Sequence, residues 1–221
     1  MSDAPDNVST NGYEFTQDWF SRFIPTWDRI LTRLKPSRIL EIGSFEGRSA
    51  CYLIEKCPSF VENRISITCV DTWEGSIEHK PGGTSESVMT EVENRFDRNT
   101  SLALTRAAGR VEFTKVKQNS RDALAGFIAS GHLESFDLIY IDGSHESPDV
   151  LTDGVMAFPL LRVGGTLIFD DYVWSDQLPQ RRDPSRMPKP AIDAFVNIFH
   201  RKLALYQWLP LWQFYLQKVA R

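Results

Sequence analysis

Two spacings of apolar residues alternate along the chain and divide it into helices and strands. From Phe15 to Leu34 the large apolar side chains recur at every third or fourth position, which predicts helices that cover one face of a sheet, the second starting at Pro25. After Pro36, short apolar runs alternate with stretches of helical spacing, which is typical of an α/β protein with a doubly wound sheet. Predicted strands begin near residues 39, 66, 111, 136 and 166.

Helices are predicted after these strands, at residues 49–55, 86–96, from 119, from about 148, and at 191–199. The last two apolar runs, 204–209 and 212–219, are separated by Pro210 and predict an antiparallel hairpin at one edge of the sheet. Two connections, 72–84 and 175–190, are longer than a strand-to-helix link needs, and we expect them to act as lids or substrate walls.

The first predicted strand runs into a turn with the pattern Glu41-x-Gly43-x-x-x-Gly47. Glycine at 43 permits a sharp turn, and glycine at 47 would let a ligand or the sheet approach the start of the next helix. A dinucleotide fingerprint needs Gly-x-Gly-x-x-Gly, and a phosphate loop needs a Lys after its last glycine, so neither fits. The pattern predicts a ligand-binding turn of another kind.

Composition places few further limits on the protein. We expect residues 1–12 to form a flexible tail and residues 13–221 a single domain. The net charge of −4 argues against a nucleic-acid partner, and no apolar run approaches the ~20 residues that span a membrane. The N-terminus is polar and acidic, unlike a secretory signal, so we expect a cytoplasmic protein. The three cysteines lack metal-site spacing and are predicted to be reduced core thiols.

Polar residues at the strand ends are candidates for ligand binding. Asp71 ends the second strand where doubly wound folds place an acid for ribose hydroxyls, although it could also cap a helix. Ser120 could contact an adenine edge, cap its helix, or do both. His79, in the first long loop, could meet substrate or simply be solvated. Trp19 or Trp27 could face substrate, but a helical layer that covers one face of the sheet is the simpler interpretation.

A second group of strand-end residues carries charge. Asp142 ends one strand and is followed by His145, and Asp170 and Asp171 end another. Because the C-terminal ends of parallel strands meet at one edge of the sheet, we expect these side chains to converge. Carboxylates are preferred ligands of hard cations, which predicts a site for Mg²⁺ or another divalent cation. His145 is the natural general base, since the ordinary imidazole pKa of ~6.5 is close to working pH.

Taken together, these motifs resemble those of class I S-adenosylmethionine-dependent methyltransferases, over residues 38–174. The Asp-Gly-Ser-His and Gly-Gly to Asp-Asp-Tyr segments resemble metal-dependent small-molecule O-methyltransferases of the catechol and macrolide-sugar types. This resemblance implies a Rossmann-like seven-stranded sheet, a hydroxylated acceptor (sugar, polyketide or phenol), metal ligands Asp142, Asp170 and Asp171, and His145 as base. It implies cofactor contacts at Glu41, Gly43, Ser44, Gly47, Ser49, Asp71, Thr72, Trp73, Asn119, Ser120 and Asp142.

Other functions remain open from the sequence. A nicotinamide-dependent oxidoreductase would share the sheet, although the glycine spacing disfavours it. Aminopropyl transfer would use a related cofactor with an acidic, metal-free pocket. A non-catalytic chain that binds S-adenosylmethionine as a scaffold would carry the same turn. The aromatic N-terminal helices could pair two subunits in a homo-oligomer or only cover the sheet.

Overall fold

A computed structural model describes residues 11–83, 85–175 and 183–221. Seven strands form one sheet in the order β3-β2-β1-β4-β5-β7-β6, and the predicted Rossmann-like fold class is confirmed. The first five are parallel, whereas β7 is antiparallel to both of its neighbours. The strands are β1 Arg38–Ile42, β2 Ile65–Asp71, β3 Val111–Lys117, β4 Phe136–Ile141, β5 Leu161–Phe169, β6 Leu203–Leu205 and β7 Phe214–Lys218.

Six α-helices pack on the two faces of this sheet. They are α1 Ile24–Leu34, α2 Arg48–Lys56, α3 Met89–Arg106, α4 Ser120–Ala129, α5 Ser147–Ala157 and α6 Pro188–Phe199. Trp27 of α1 and Phe96 of α3 lie in the core on one face, and Leu124 of α4 and Phe195 of α6 lie in the core on the other. Because both faces are covered, the central strand β4 is buried at every position. The carboxyl ends of β1, β2, β4 and β5 are left as the open edge.

The N-terminal region differs from its prediction. Residues 15–20 form no helix, and helical structure starts with a 3-10 turn at Ser21–Phe23 before α1. The aromatic residues of 15–20 are spaced as in a helix but do not form one. They pack onto the glycine turn and α2 instead. Trp27 is fully buried and makes an edge contact with the Tyr140 ring at 4.9 Å, so a substrate-facing role for Trp27 is excluded.

The boundaries of other helices and strands differ by a few residues from those predicted. Helix α6 begins at Pro188, not residue 191, because proline fits the first turn of a helix. Gly164 and Gly165 lie inside β5, where the β4 pairing shifts register, and not in a turn before it. The predicted C-terminal hairpin is present but shorter. Predictions for residues 1–10 and for 176–182 of the second long loop lie outside the described residues.

Two further sequence expectations can be compared with the structure. Cys51, Cys57 and Cys69 are buried and free, as predicted. Burial raises the pKa of each thiol, which keeps all three in the unreactive protonated form. In the described ranges, every helix is too short or too polar to cross a bilayer.

Candidate active site

The glycine turn follows β1 and closes against the end of β4. Gly43 has a φ of +81°, and a Cβ at this position would fall on the carbonyl oxygen of Asp142. Its amide donates to the carbonyl oxygen of Val70 at 2.8 Å, which ties the turn to β2 as well. Glycine at 43 is therefore required for the ends of three strands to meet.

The second glycine of the turn is required for packing. Gly47 has a φ of +81°, and an added Cβ would lie 2.9 Å from the ring of Phe96 on α3. Gly47 lines neither of the cavities described below. The close approach at Gly47 is made by α3, and the predicted cofactor contact at Gly47 stays a prediction.

Replacing Gly47 with alanine is expected to lower the free energy of unfolding by about 2–4 kcal/mol, from the left-handed backbone and the overpacked Phe96 ring together. Gly109→Ala is the matched control, because Gly109 has a φ of +77° and nothing within 4 Å of an added Cβ. Gly109→Ala should lower the free energy of unfolding by about 1–2 kcal/mol, which is the cost of the left-handed backbone alone. Urea unfolding of both variants measures the difference, and equal losses would contradict the packing role.

Glu41 organises the turn from inside the protein. Its carboxylate accepts hydrogen bonds from the hydroxyls of Ser44 and Ser49, each at 2.6 Å, and from the thiol of Cys69 at 3.3 Å. Glu41 is 0 % exposed, and this burial raises its pKa. Glu41 lines neither cavity and is satisfied by three donors, and its predicted cofactor contact stays a prediction.

Asp71 also serves the turn. One carboxylate oxygen accepts from the backbone amides of Ser44 at 2.8 Å and Phe45 at 3.0 Å, and the other accepts from the amide of Trp73 at 2.8 Å. Asp71 still lines the larger cavity, and its ribose role stays a prediction. Trp73 is buried and lines neither cavity, and its predicted cofactor contact stays a prediction. The Trp73 indole instead donates to the carbonyl of Phe45 at 3.0 Å.

Two cavities meet at the open edge of the sheet. The larger, of about 550 Å³, lies between the ends of β1, β2 and β4 and the first turns of α4 and α5. The smaller, of about 210 Å³, lies between the turn and the N-terminal segment. Asp142 and His145 lie on the boundary and line both. Of the other predicted residues, the larger cavity has Gly43, Ser44, Asp71, Thr72, Asn119 and Ser120, and the smaller has Gly43, Ser44, Ser49, Asp170 and Asp171.

The walls of the smaller cavity are mainly aromatic. Trp19 and Phe45 lie 5.1 Å apart between ring centroids, and His79 stacks on Phe45 at 5.2 Å. On the other side, Trp174 packs on the His145 imidazole at 4.0 Å. Sequence reasoning singled out Trp19 and His79 as candidates but missed Phe45 and Trp174, which lie next to predicted motifs and carry no polar signal of their own.

Asp142, His145 and Asp171 converge at the boundary between the cavities. One potential ligand atom from each lies within 4.8 Å of the other two. The His145 Nε2 and an Asp171 carboxylate oxygen are 2.9 Å apart. Asp171 has a φ of +54°, an unusual backbone conformation that turns its carboxylate toward the imidazole. The predicted convergence of strand-end acids is present, with the histidine as a member of the group.

Asp170 belongs to a buried network that is joined to Asp142 through the Tyr140 hydroxyl, which lies 2.9 Å from an Asp142 carboxylate oxygen. Its carboxylate accepts hydrogen bonds from the Tyr140 hydroxyl, from Gln213 Nε2 at 2.8 Å and from the Asp171 amide at 2.7 Å. The Gln213 amide is oriented by Trp27 Nε1, which donates to its oxygen at 2.8 Å. The group of potential ligands thus contains two of the three predicted metal ligands, while Asp170 holds the strand end beside them. Neither Tyr140 nor Gln213 was predicted from the sequence. The one signal in the sequence was that Gln213 is a polar residue within the apolar run 212–219.

The electrostatics of the group suit a bound cation. Burial and the nearby Asp170 and Asp171 carboxylates raise the pKa of Asp142 well above its ordinary value. Burial and Asp171 raise the pKa of Asp170 to about 6. A divalent cation would relieve this repulsion, and the carboxylates of Asp142 and Asp171 are oxygen ligands of the kind that Mg²⁺ or Mn²⁺ prefers. The residues present therefore fit the predicted metal.

A model of one protein family, described as "Methyltransferase domain", matches residues 40–172. No curated protein matches the chain.

Several solved structures share the fold. An O-methyltransferase from Bacillus cereus in complex with SAH has a TM-score of 0.64 at 17% identity, over 93% of this chain and 84% of that one. The O-methyltransferase TomG from Streptomyces achromogenes, in complex with SAM, has a TM-score of 0.59 at 18% identity, over 87% and 77%. MycE methyltransferase from the mycinamycin biosynthetic pathway, in complex with Mg and SAH, has a TM-score of 0.55 at 16% identity, over 92% and 51%.

Proposed function

The chain belongs to the methyltransferase-domain family and is an S-adenosylmethionine-dependent methyltransferase; we propose that it methylates a hydroxyl oxygen of a small molecule with the help of a divalent cation. The observation that carries this proposal is the group of Asp142, His145 and Asp171 at the boundary between two cavities. In this arrangement the larger cavity holds the cofactor and the smaller holds the acceptor. Methyl transfer would take place where they meet.

The acceptor oxygen needs a base, because an alcohol or phenol proton is tightly held at neutral pH. The His145 imidazole takes this proton as the oxygen attacks the methyl carbon of the sulfonium, and S-adenosylhomocysteine leaves with the electron pair of the broken C–S bond. Asp171 orients the imidazole by its 2.9 Å contact. A divalent cation held by Asp142 and Asp171 would stabilise negative charge that develops on the acceptor oxygen. Mg in the MycE structure, a fold relative, supports this choice.

The acceptor class follows from the walls of the smaller cavity. Trp19, Phe45 and Trp174 offer flat apolar faces to a ring, while Asp142 and Asp171 lie at the inner end. A hydroxylated ring, whether of a sugar, a polyketide or a phenol, would pack on the aromatic walls and present its hydroxyl to the acids. About 210 Å³ suits one ring at a time, with the rest of a larger acceptor outside.

Titration calorimetry with S-adenosylhomocysteine, with and without MgCl₂, tests the proposal. We expect micromolar binding, because the larger cavity offers Asp71, Thr72 and Ser120 as polar partners in a partly enclosed cleft. Mg²⁺ should bind the complex and raise its melting temperature, and EDTA should reverse the shift. Absence of binding in both conditions would contradict the assigned cofactor site, while binding without any Mg²⁺ effect would contradict the metal.

Two of the alternatives that the sequence leaves open predict different results. A nicotinamide-dependent oxidoreductase would be stabilised by NADH and not by S-adenosylhomocysteine. A non-catalytic scaffold would bind S-adenosylhomocysteine but would not depend on His145 for its function. The convergence of His145 with two carboxylates next to an aromatic cavity favours catalysis over a scaffold, because binding alone requires no base.

A further inference from the structure

Asp153 is a buried carboxylate that the proposed reaction does not use. It lies on the second turn of α5, is 2 % exposed, and borders the larger cavity. A buried carboxylate is costly unless donors satisfy it, because an ionised oxygen pair offers about four acceptor sites. The Ser120 hydroxyl hydrogen-bonds to Asp153. In the described parts of the chain, Asp153 forms no ion pair with a lysine, an arginine or a histidine.

Asp153 lies in the wall of the larger cavity, next to the backbone that follows β4. Its Oδ2 lies 3.8 Å from the point where a Cβ of Gly143 would stand, so the carboxylate approaches the backbone just after β4. Ser120, its partner, opens α4 on the other side of the same cavity. Asp153 thus lies between two segments that line the cleft, away from Asp171 and the aromatic acceptor cavity.

The pKa of Asp153 is consistent with a carboxylate that lacks hydrogen-bond donors. Burial, with a smaller effect from Asp149, raises the pKa of Asp153 to about 7, which the Ser120 hydrogen bond only partly offsets. A bound group with N–H donors would stabilise the ionised form. An adenine base offers such donors on its exocyclic amine. In a nucleoside that reaches both Asp71 and Ser120, the ribose hydroxyls lie nearer to Asp71 at the end of β2, and the base lies nearer to Ser120.

We propose that Asp153, held by Ser120, recognises the exocyclic amine of the cofactor's adenine and makes the site specific for a 6-amino purine. This inference rests on the proposed cofactor. An ionised carboxylate only accepts hydrogen bonds, so it favours an amine and rejects a carbonyl at the same purine position. An inosine-type cofactor would place a carbonyl oxygen against the carboxylate and leave both unsatisfied.

The test compares binding of S-adenosylhomocysteine with binding of S-inosylhomocysteine, in which a carbonyl replaces the amine. At about pH 8.5, where a group with a pKa near 7 is ionised, the parent should prefer the adenosyl compound about 10- to 100-fold. Asp153→Asn should reduce this preference to within about 3-fold, because an amide can donate as well as accept. Asp122→Asn, an exposed carboxylate of α4 outside both cavities, is the matched control and should keep the parental ratio.

The ratio separates recognition from a structural role. If Asp153 had only a structural role, Asp153→Asn would weaken binding of both compounds equally and leave the ratio of their affinities unchanged. That result would overturn the inference. If Asp153→Asn does not fold, Ser120→Ala provides a second variant, with a smaller fall in the ratio expected because Asp153 loses the hydroxyl that holds it. A parent that binds the adenosyl compound but accepts both equally would overturn the inference and leave the proposed function intact. A parent that binds neither would overturn both.

Discussion

Asp142→Asn is expected to lower kcat/KM by about 10²- to 10³-fold at saturating Mg²⁺ while S-adenosylhomocysteine affinity changes little. Asparagine keeps the shape of the side chain but removes the charge that would hold the cation. The backbone of Asp142 is unaffected, so the close approach of its carbonyl to Gly43 remains. Methyl transfer from S-adenosylmethionine to a panel of catechols and sugars provides the rate, and calorimetry provides the affinity.

Metal removal gives the same loss by an independent route. EDTA-treated parent enzyme should fall to the activity of Asp142→Asn, and Mg²⁺ should restore the parent but not the variant. The control is Asp122→Asn, the same substitution at an exposed position outside both cavities. If Asp142→Asn retains activity within about 3-fold of the parent and responds normally to Mg²⁺, the metal site proposed at the boundary is wrong.

His145→Gln should reduce kcat by about 10²- to 10⁴-fold, because glutamine can fill the space but cannot take the acceptor proton. Its amide can still reach Asp171, so the arrangement of the loop and the binding of S-adenosylhomocysteine should be preserved. The parent rate should fall at acidic pH as the imidazole becomes protonated. The variant should lack this acidic limb.

His200→Gln is the matched control, since His200 is exposed and lies outside both cavities. It should retain both the parental rate and the parental pH profile. A His145→Gln enzyme that keeps the acidic limb of the profile would assign that limb to another group, and one that keeps the parental rate would exclude His145 as the base.

Features that repeat along the chain could be predicted from the sequence. Apolar spacing predicted the alternating strands and helices, and acids at strand ends predicted which side chains meet, since parallel strands end at one edge. Asp142, His145 and Asp171 were found in this way, without any knowledge of the distances between them. The family resemblance added the cofactor and the number of strands in the sheet, which spacing alone leaves open.

Side-chain direction and packing partners required the tertiary structure. Glu41 and Trp73 belong to the predicted motifs, yet each points into the protein and is satisfied there. Gly47 is needed because Phe96, about 50 positions later in the chain, packs on it.

By itself, then, the sequence of this protein determined its fold class, the edge of the sheet that carries the site and the residue types gathered there. Only the tertiary structure decided that His145 joins Asp142 and Asp171 while Asp170 is held by Tyr140 and Gln213, and that Asp153 borders the larger cavity. The physical reason is that local spacing fixes the strand end at which a residue lies. Contacts between distant segments decide which atoms its side chain meets.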